Sequence, residues 1–226
     1  MLDRVDIGVL GATGPAGRGL AARLAAAGHT VRAGSRDRAR AARVVDELRA
    51  RWGERVATLT AATNADAAAA PDLVVVATTW EAALETTKAH ASLLAGKVVL
   101  AMANGLQKVG REFRAVLPPE GSLAQAMQAL VPDARVVSAF QHVPAKALED
   151  LDRPITSDVV VCADDDDARR LVLHLVASIP NLRPLDGGSL ANSAGVEAFA
   201  AVLLSVNVRH RGEGTLRLDG VEGWAP

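Results

Sequence analysis

The stretch Val5-Asp6-Ile7-Gly8-Val9-Leu10-Gly11-Ala12-Thr13-Gly14-Pro15-Ala16-Gly17 decides the fold. Val5–Leu10 is short and apolar, as a parallel strand covered on both faces must be. Gly11, Gly14 and Gly17 then break the chain in a G-x-x-G-x-x-G spacing. A helix follows to Ala27, with Leu20, Leu24 and Ala27 at helical intervals and Gly28 where a C-terminal cap belongs. Glycines between a buried strand and a helix permit a tight turn and let a pyrophosphate approach the main chain. The helix N-terminus then offers its free N–H groups to the anion. A loop that merely needs glycine dihedrals is the plainer alternative. The strand–turn–helix context favours a dinucleotide cradle made of Gly11, Thr13, Gly14, Pro15, Ala16 and Gly17.

Outward from this unit the pattern repeats. Strands are expected at Thr30–Ala33, Val56–Thr60, Leu73–Ala77, Lys97–Met102 and Arg135–Phe140, and helices at Arg38–Trp52, Trp80–Leu94 and Ser122–Leu130. Ala65–Ala70 reads as a helical turn feeding a strand. Residues 103–121 read as a Gly/Pro-punctuated loop with a short helix near Val109–Ala115, and Ala145–Pro154 as a loop. A smaller unit follows: strand Asp158–Ala163, helix Asp166–Ile179, strand Leu182–Asp186, helix Ser189–Val206, with an edge strand at Thr215–Leu218. Alternating apolar strands and helices predict an α/β fold, a doubly wound parallel sheet of Rossmann type with a small C-terminal α/β domain. The division expected is a nucleotide-binding domain over 1–144 and a small domain over 145–226.

Composition narrows the function. In 226 residues, 25 Lys+Arg stand against 26 Asp+Glu, a formal charge of -1, which argues against a general nucleic-acid binder. One Cys excludes an intramolecular disulfide and every multi-Cys metal site, and suits a reducing cytoplasm. The absence of Tyr removes any mechanism built on a Tyr general acid. Neither a signal peptide nor an uninterrupted apolar run long enough for a membrane span is expected.

The end of the second strand speaks to the nucleotide. An NAD site usually places Asp or Glu there for the ribose hydroxyls. This chain has Gly34-Ser35-Arg36, with Arg38 and Arg40 one turn on, which suits a 2′-phosphate held by guanidinium groups. Thr78-Thr79-Trp80 and Ala103-Asn104 follow the fourth and fifth strands, and ligands of open parallel sheets sit beyond such carboxyl ends. His142 follows a strand on the same side. Cys162 reads as core, and Asp164–Asp167 as the acidic start of a helix rather than a metal cluster. Without an evident acid–base team or metal site, direct hydride transfer between positioned rings fits best.

GATGPAGRGLAARLAAAGHTVRAGSR (11–36), VVVATTWEAAL (74–84), VVSAFQHVPAKALEDLD (136–152), SDVVVCADDD (157–166) and IPNLRPLDGGSLANSAGVEAF (179–199) resemble the NADPH-dependent reductases of the deazaflavin coenzyme F420. The likeness runs from Val5 to about Arg209, and the segments outside the nucleotide-binding half are its most specific part. It implies reversible hydride transfer between NADP(H) and the 8-hydroxy-5-deazaflavin, without metal or bound flavin, in a cytoplasmic homodimer. It also implies site residues: Thr13 to Ala16 at the pyrophosphate, Ser35, Arg36 and Arg40 at the 2′-phosphate, Trp80, Ala103 and Asn104 along the nicotinamide, and Ala145 opposite them. The deazaflavin would rest near Gln141, His142, Val143, Asn207 and Val208. Two departures are visible. Ala12 stands where the family often has glycine. The family's histidine in the S-A-F-H segment falls on Gln141, with His142 one place later, which on a strand would turn the side chain to the opposite face. Two other functions compete: an NADP-dependent reductase of a small imine or carbonyl, and an NADP(H)-sensing Rossmann protein without catalysis.

Overall fold

The computed structural model describes residues 4–225. Its elements are β1 (Asp6–Leu10), α1 (Pro15–Ala26), β2 (Thr30–Ser35), α2 (Arg38–Trp52), β3 (Leu59–Thr63), α3 (Asn64–Ala68), β4 (Leu73–Val76), α4 (Trp80–Ala89) and α5 (Ala91–Leu94). They continue with β5 (Val98–Ala101), β6 (Leu106–Val109), β7 (Glu112–Ala115), α6 (Leu123–Leu130), β8 (Arg135–Ser138), α7 (Ala145–Glu149), β9 (Ser157–Ala163), α8 (Asp166–Ala177), β10 (Leu182–Asp186) and α9 (Ser193–His210). Eight strands form one sheet in the order β10-β9-β8-β5-β4-β1-β2-β3. From β3 to β8 every pairing is parallel; β9 then runs antiparallel to β8, and β10 parallel to β9. The strands after residue 145 thus prolong the sheet that the first 144 residues begin.

The strands are apolar throughout because both faces are covered. Alternate residues feed opposite cores: Ile7, Val9, Leu73 and Val75 pack with Leu20, Leu24 and Leu48 of α1 and α2. Leu10, Val74 and Val76 pack with Ala83, Ala124 and Met127 of α4 and α6. The chain order reverses across β1, with β2 on one side and β4 on the other, so their carboxyl ends open a crevice.

Several local expectations are corrected. The short helix expected at Val109–Ala115 is an antiparallel hairpin, β6–β7, with Val109 opposite Glu112. Gly110, at φ 60, supplies the left-handed residue that a two-residue hairpin loop needs. The third strand lies three residues later than expected, because Gly53–Val56 closes α2 with a 3-10 turn. Helix Trp80–Leu94 breaks at His90 into α4 and α5. The loop expected at Ala145–Pro154 begins with α7, whose carbonyl end is gripped by Arg23 of α1. That guanidinium donates to the carbonyls of Leu148, Ala147, Asp150 and Arg153 at 3.0, 2.7, 2.5 and 2.8 Å. Thr215–Leu218 is not a strand, yet it lies along β9, with the Asp158 N–H donating to the Leu216 carbonyl at 2.8 Å. The last helix runs to His210 rather than Val206. By length and composition Leu190–His210 is apolar enough to cross a bilayer (mean hydropathy 1.3), which the sequence reading did not anticipate.

Candidate functional site

The glycine turn is built by three different demands. Gly11 has φ +79, and a Cβ there would stand 2.8 Å from the Thr78 methyl. A Cβ on Gly17 would meet the Gly11 carbonyl oxygen at 2.7 Å and Ala77 Cβ at 3.0 Å, so this glycine lets α1 pack on the strand ends. Gly14 is different: its φ is -83, and a Cβ would come no nearer than 3.4 Å to the Gly11 carbonyl oxygen. Neither turn geometry nor packing asks for glycine there, whereas a bare main chain at the helix N-cap suits an approaching anion. Helix α1 starts without a side-chain cap or an acidic residue, and with Pro15 in its first turn, leaving the positive helix end open. Ala12 is buried, and its N–H donates to the Gly34 carbonyl at 2.9 Å, so alanine fits at this place.

Ser35 ends β2 and is buried; Arg36 and Arg40 are exposed beyond it. Asp37, two residues past the end of β2, is by position a candidate ribose carboxylate. Its side chain instead caps α2, accepting the Ala39 N–H at 2.8 Å, and its own N–H donates to Ser35 Oγ at 3.3 Å. The sequence reading missed Asn64: its Oδ1 accepts the Gly11 N–H at 3.3 Å and braces the turn from α3.

Beyond Ala16 a cavity of about 540 Å³ opens, within the range of small-molecule sites. Thr78, Thr79 and Trp80 line it after β4, Met102, Ala103 and Asn104 after β5, and Phe140 to Lys146 after β8. Leu203, Leu204 and Asn207 of α9 and Gly212-Glu213 complete it. The sequence reading named Trp80, Ala103, Asn104, Gln141, His142, Val143, Ala145 and Asn207, and the fold brings all of these to the same cavity. Val208 does not join them; it is 37% exposed on α9. Lys146, Leu203 and Glu213 carried no sequence signal, because only folding brings them near the crevice.

Gln141 and His142 both line the cavity, because the backbone there is not a strand. β8 ends at Ser138, and Phe140 takes φ 72, so residues 140–143 form a turn, and strand alternation does not govern them. Gln141 turns its amide inward, donating to the Ala101 carbonyl at 2.9 Å and to Ser138 Oγ at 2.7 Å. Asn104 Nδ2 donates to the Gln141 carbonyl at 2.5 Å, tying the ends of β5 and β8. His142 Nε2 lies 2.6 Å from the Asp158 carbonyl. Burial lowers the His142 pKa against the pull of the Asp158 carbonyl and carboxylate, so the ring is neutral near pH 7. Among the described residues, four buried side-chain atoms that lack a partner belong to cavity residues: Thr78 Oγ1, Asn104 Oδ1, Gln141 Oε1 and His142 Nδ1. Unpaired buried polar groups are costly, and their gathering at one cavity marks it as a site for a polar ligand.

Comparison with known proteins agrees with this geometry. A profile of the family described as NADP oxidoreductase, coenzyme F420-dependent, matches residues 6–105. The F420-dependent NADP reductase of Methanocaldococcus jannaschii is 34% identical over 223 residues, covering 96% of this chain and 100% of that protein. Its namesake in Methanothermobacter thermautotrophicus is 31% identical over 211 residues, covering 92% and 91%. A crystal structure ascribed to an F420-dependent NADP-reductase of Arthrobacter sp. FB24 matches with a TM-score of 0.80 and 27% identity over 95% of this chain and 99% of that one.

Proposed function

This chain belongs to the F420-dependent NADP reductase family, and from that premise we propose that it transfers a hydride reversibly between NADP(H) and F420 across the cavity between α1 and α9. The observation that carries the reading is the cavity's continuity with the anion cradle: Ala16 belongs to the first turn of α1 and also lines the cavity that reaches Asn207. The residues present fit both molecules. The cradle at Gly14 has room that a side chain would fill, and the cavity holds buried polar atoms awaiting partners.

The two coenzymes bring the redox chemistry, a hydride exchanged between ring carbons. The protein's part is to bind and orient. The turn Gly11 to Gly17 receives the pyrophosphate through Thr13, Gly14, Pro15 and Ala16, and Ser35, Arg36 and Arg40 receive the 2′-phosphate. Trp80, Ala103 and Asn104 line the nicotinamide side, with Ala145 facing them. Gln141, His142, Val143 and Asn207 line the deazaflavin side, so the chain after residue 145 completes the second half of the site. The walls are largely apolar, and holding two reactants in register can lower a barrier by roughly 7–11 kcal/mol.

The enzyme acts as a homodimer in this reading. Helix α9 leaves Phe199, Val202 and Val206 exposed by 41%, 56% and 45%, a face that a second copy would cover. Glu197 of the same helix is folded against α6, which ties α9 to the domain rather than to a bilayer. The one cysteine is buried and free, consistent with a reducing cytoplasm. Mixing the protein with NADPH and oxidised F420, and following loss of the deazaflavin's visible absorption, tests the activity. NADPH binding without any reduction of F420 would leave an NADP(H)-sensing protein instead.

A further inference from the structure

The two flanks of β9 are unequally paired. β10 runs beside its length from Ser157 to Val161, whereas β8 registers with it only at Ala163 and Cys162. The flank of its first residues is taken by the chain's last segment, 211–225. The Asp158 N–H donates to the Leu216 carbonyl and Thr215 Oγ1 to the Thr156 carbonyl, both at 2.8 Å. Farther on, the Trp224 N–H donates to the Pro184 carbonyl of β10.

At the centre of this seam the Asp158 carboxylate is wholly buried, with 0% side-chain exposure. Arg183 grips both of its oxygens at 2.6 Å, the Leu218 N–H donates to it at 2.6 Å, and Arg217 reaches it at 3.3 Å. Arg183 also donates to the carbonyls of Leu218 and Val221. Every donor except Arg183 comes from the segment itself, so the carboxylate works as a latch on it. Burial pushes the Asp158 carboxyl up, and Arg183, the Leu218 N–H and Arg217 together outweigh it, leaving the group ionised.

The same residue reaches the cavity by a second arm. A carbonyl oxygen only accepts, so the 2.6 Å contact with His142 Nε2 puts the ring proton on Nε2 and leaves Nδ1 bare. His142, Gly212 and Glu213 line one cavity. The start of the segment is also tied to cavity residue Asn207, whose Oδ1 accepts the Gly214 N–H at 2.6 Å and whose Nδ2 donates to the Gly214 carbonyl.

We propose that Asp158 is a positioning residue for the deazaflavin side of the site: its main-chain carbonyl sets the tautomer and orientation of His142, and its carboxylate latches residues 211–225, whose Gly212 and Glu213 wall the same cavity. The assignment of that side to the deazaflavin rests on the function proposed above; the latch itself does not.

The test is Asp158→Asn in the full chain, beside Leu218→Pro, which deletes one latch donor and leaves β9 intact. Three quantities are read: hydrogen exchange over 211–225, nitrogen NMR of isotope-labelled His142, and the KM of each coenzyme. In both variants exchange over 211–225 quickens about tenfold or more, as loss of a charge-assisted bond implies. Wild type and both variants keep the main-chain carbonyl at 158, so in all three the His142 nitrogens show a single tautomer protonated on Nε2; protonation on Nδ1, or an average of the two, would overturn the carbonyl arm. KM for F420 rises about tenfold while kcat and KM for NADPH stay within about twofold. Faster exchange with an unmoved F420 KM would reduce the latch to a purely structural clasp and overturn the proposal. So would a parallel rise in KM for NADPH, which signals general loosening. If Asp158→Asn does not fold, Leu218→Pro carries the same readouts. Exchange and NMR need no F420, so a wild-type protein inert toward F420 would overturn the functional reading and leave the latch to be judged on those two.

Discussion

The carboxylate of Glu197 accepts the main-chain N–H of Leu123 at 2.8 Å, and its other oxygen accepts that of Ala124 at 3.2 Å. A residue of α9 thereby caps α6, a place where a negative charge meets the positive helix end. The site is nevertheless so buried that desolvation pushes the carboxyl up to about 7, against the two N–H bonds that pull it down.

A pH dependence of stability follows. With its folded pKa above the ordinary value of 4.5, the folded state holds the proton more tightly than the unfolded one. The stabilisation is full below the unfolded pKa and is lost as pH rises through about 7. His142, whose pKa is lowered by burial, contributes with the opposite sign, its share being lost on acidification. Comparing wild type with Glu197→Gln cancels the histidine. The Tm advantage of the wild type should be largest near pH 5 and shrink toward pH 8; a gap that stays constant across that range contradicts the assignment.

Gly14 and Gly17 should fail differently. Gly14→Val leaves the protein folded, because its φ is negative and its surroundings are open, but the side chain occupies the anion's approach and abolishes NADPH binding. Gly17→Val drives atoms into the Gly11 carbonyl and Ala77, and lowers the Tm. Calorimetry and NADPH titration separate the two. An unchanged NADPH Kd in Gly14→Val would make the turn merely structural.

Arg36→Ala should raise KM for NADPH about tenfold or more, since a charge-assisted contact is worth roughly 1.5–3 kcal/mol. NADH should be nearly unaffected, because it lacks the 2′-phosphate that Arg36 is proposed to hold. Equal losses with the two nucleotides would remove Arg36 from the 2′-phosphate site.

Chelators should leave the activity intact. The carboxylates of Asp164–Asp167 are each engaged: Asp164 accepts the Leu190 N–H, Asp165 caps α8 through the Ala168 N–H, and Asp166 and Asp167 pair with Arg169 and Arg170. Loss of turnover in a chelator, restored by a divalent ion, would refute this.

Deuterium carried on the transferring face of NADPH should arrive at the deazaflavin ring carbon without exchange with water. His142→Asn should lower kcat by at most about two orders of magnitude, the low end of acid–base contributions. Solvent hydrogen at that carbon, or release of NADP before F420 binds, would contradict direct transfer.

Local sequence alone determined the opening strand, turn and helix and the central strands of the sheet. Val5–Gly17 dictates strand, turn and helix through apolar run and glycine spacing, and LVVV at 73–76 must be a central strand because it is apolar on both faces. The proposal that Ser35-Arg36 forms the phosphate end rests on the same kind of local reading. The hairpin at 106–115 and helix α7 were not legible, since the first depends on packing against α9 and the second on Arg23, more than 120 residues away in the chain. Which of Gln141 and His142 would meet the deazaflavin was likewise undecidable from alternation, because the strand ends before them and Phe140 turns the chain. Only tertiary structure brought Asp158, Arg183 and Leu218 together and set His142 against the Asp158 carbonyl. Hydrophobic periodicity and turn chemistry act over a few neighbours and can be read in order. A buried charge and its partners are chosen by where distant segments meet, and no local pattern records that meeting.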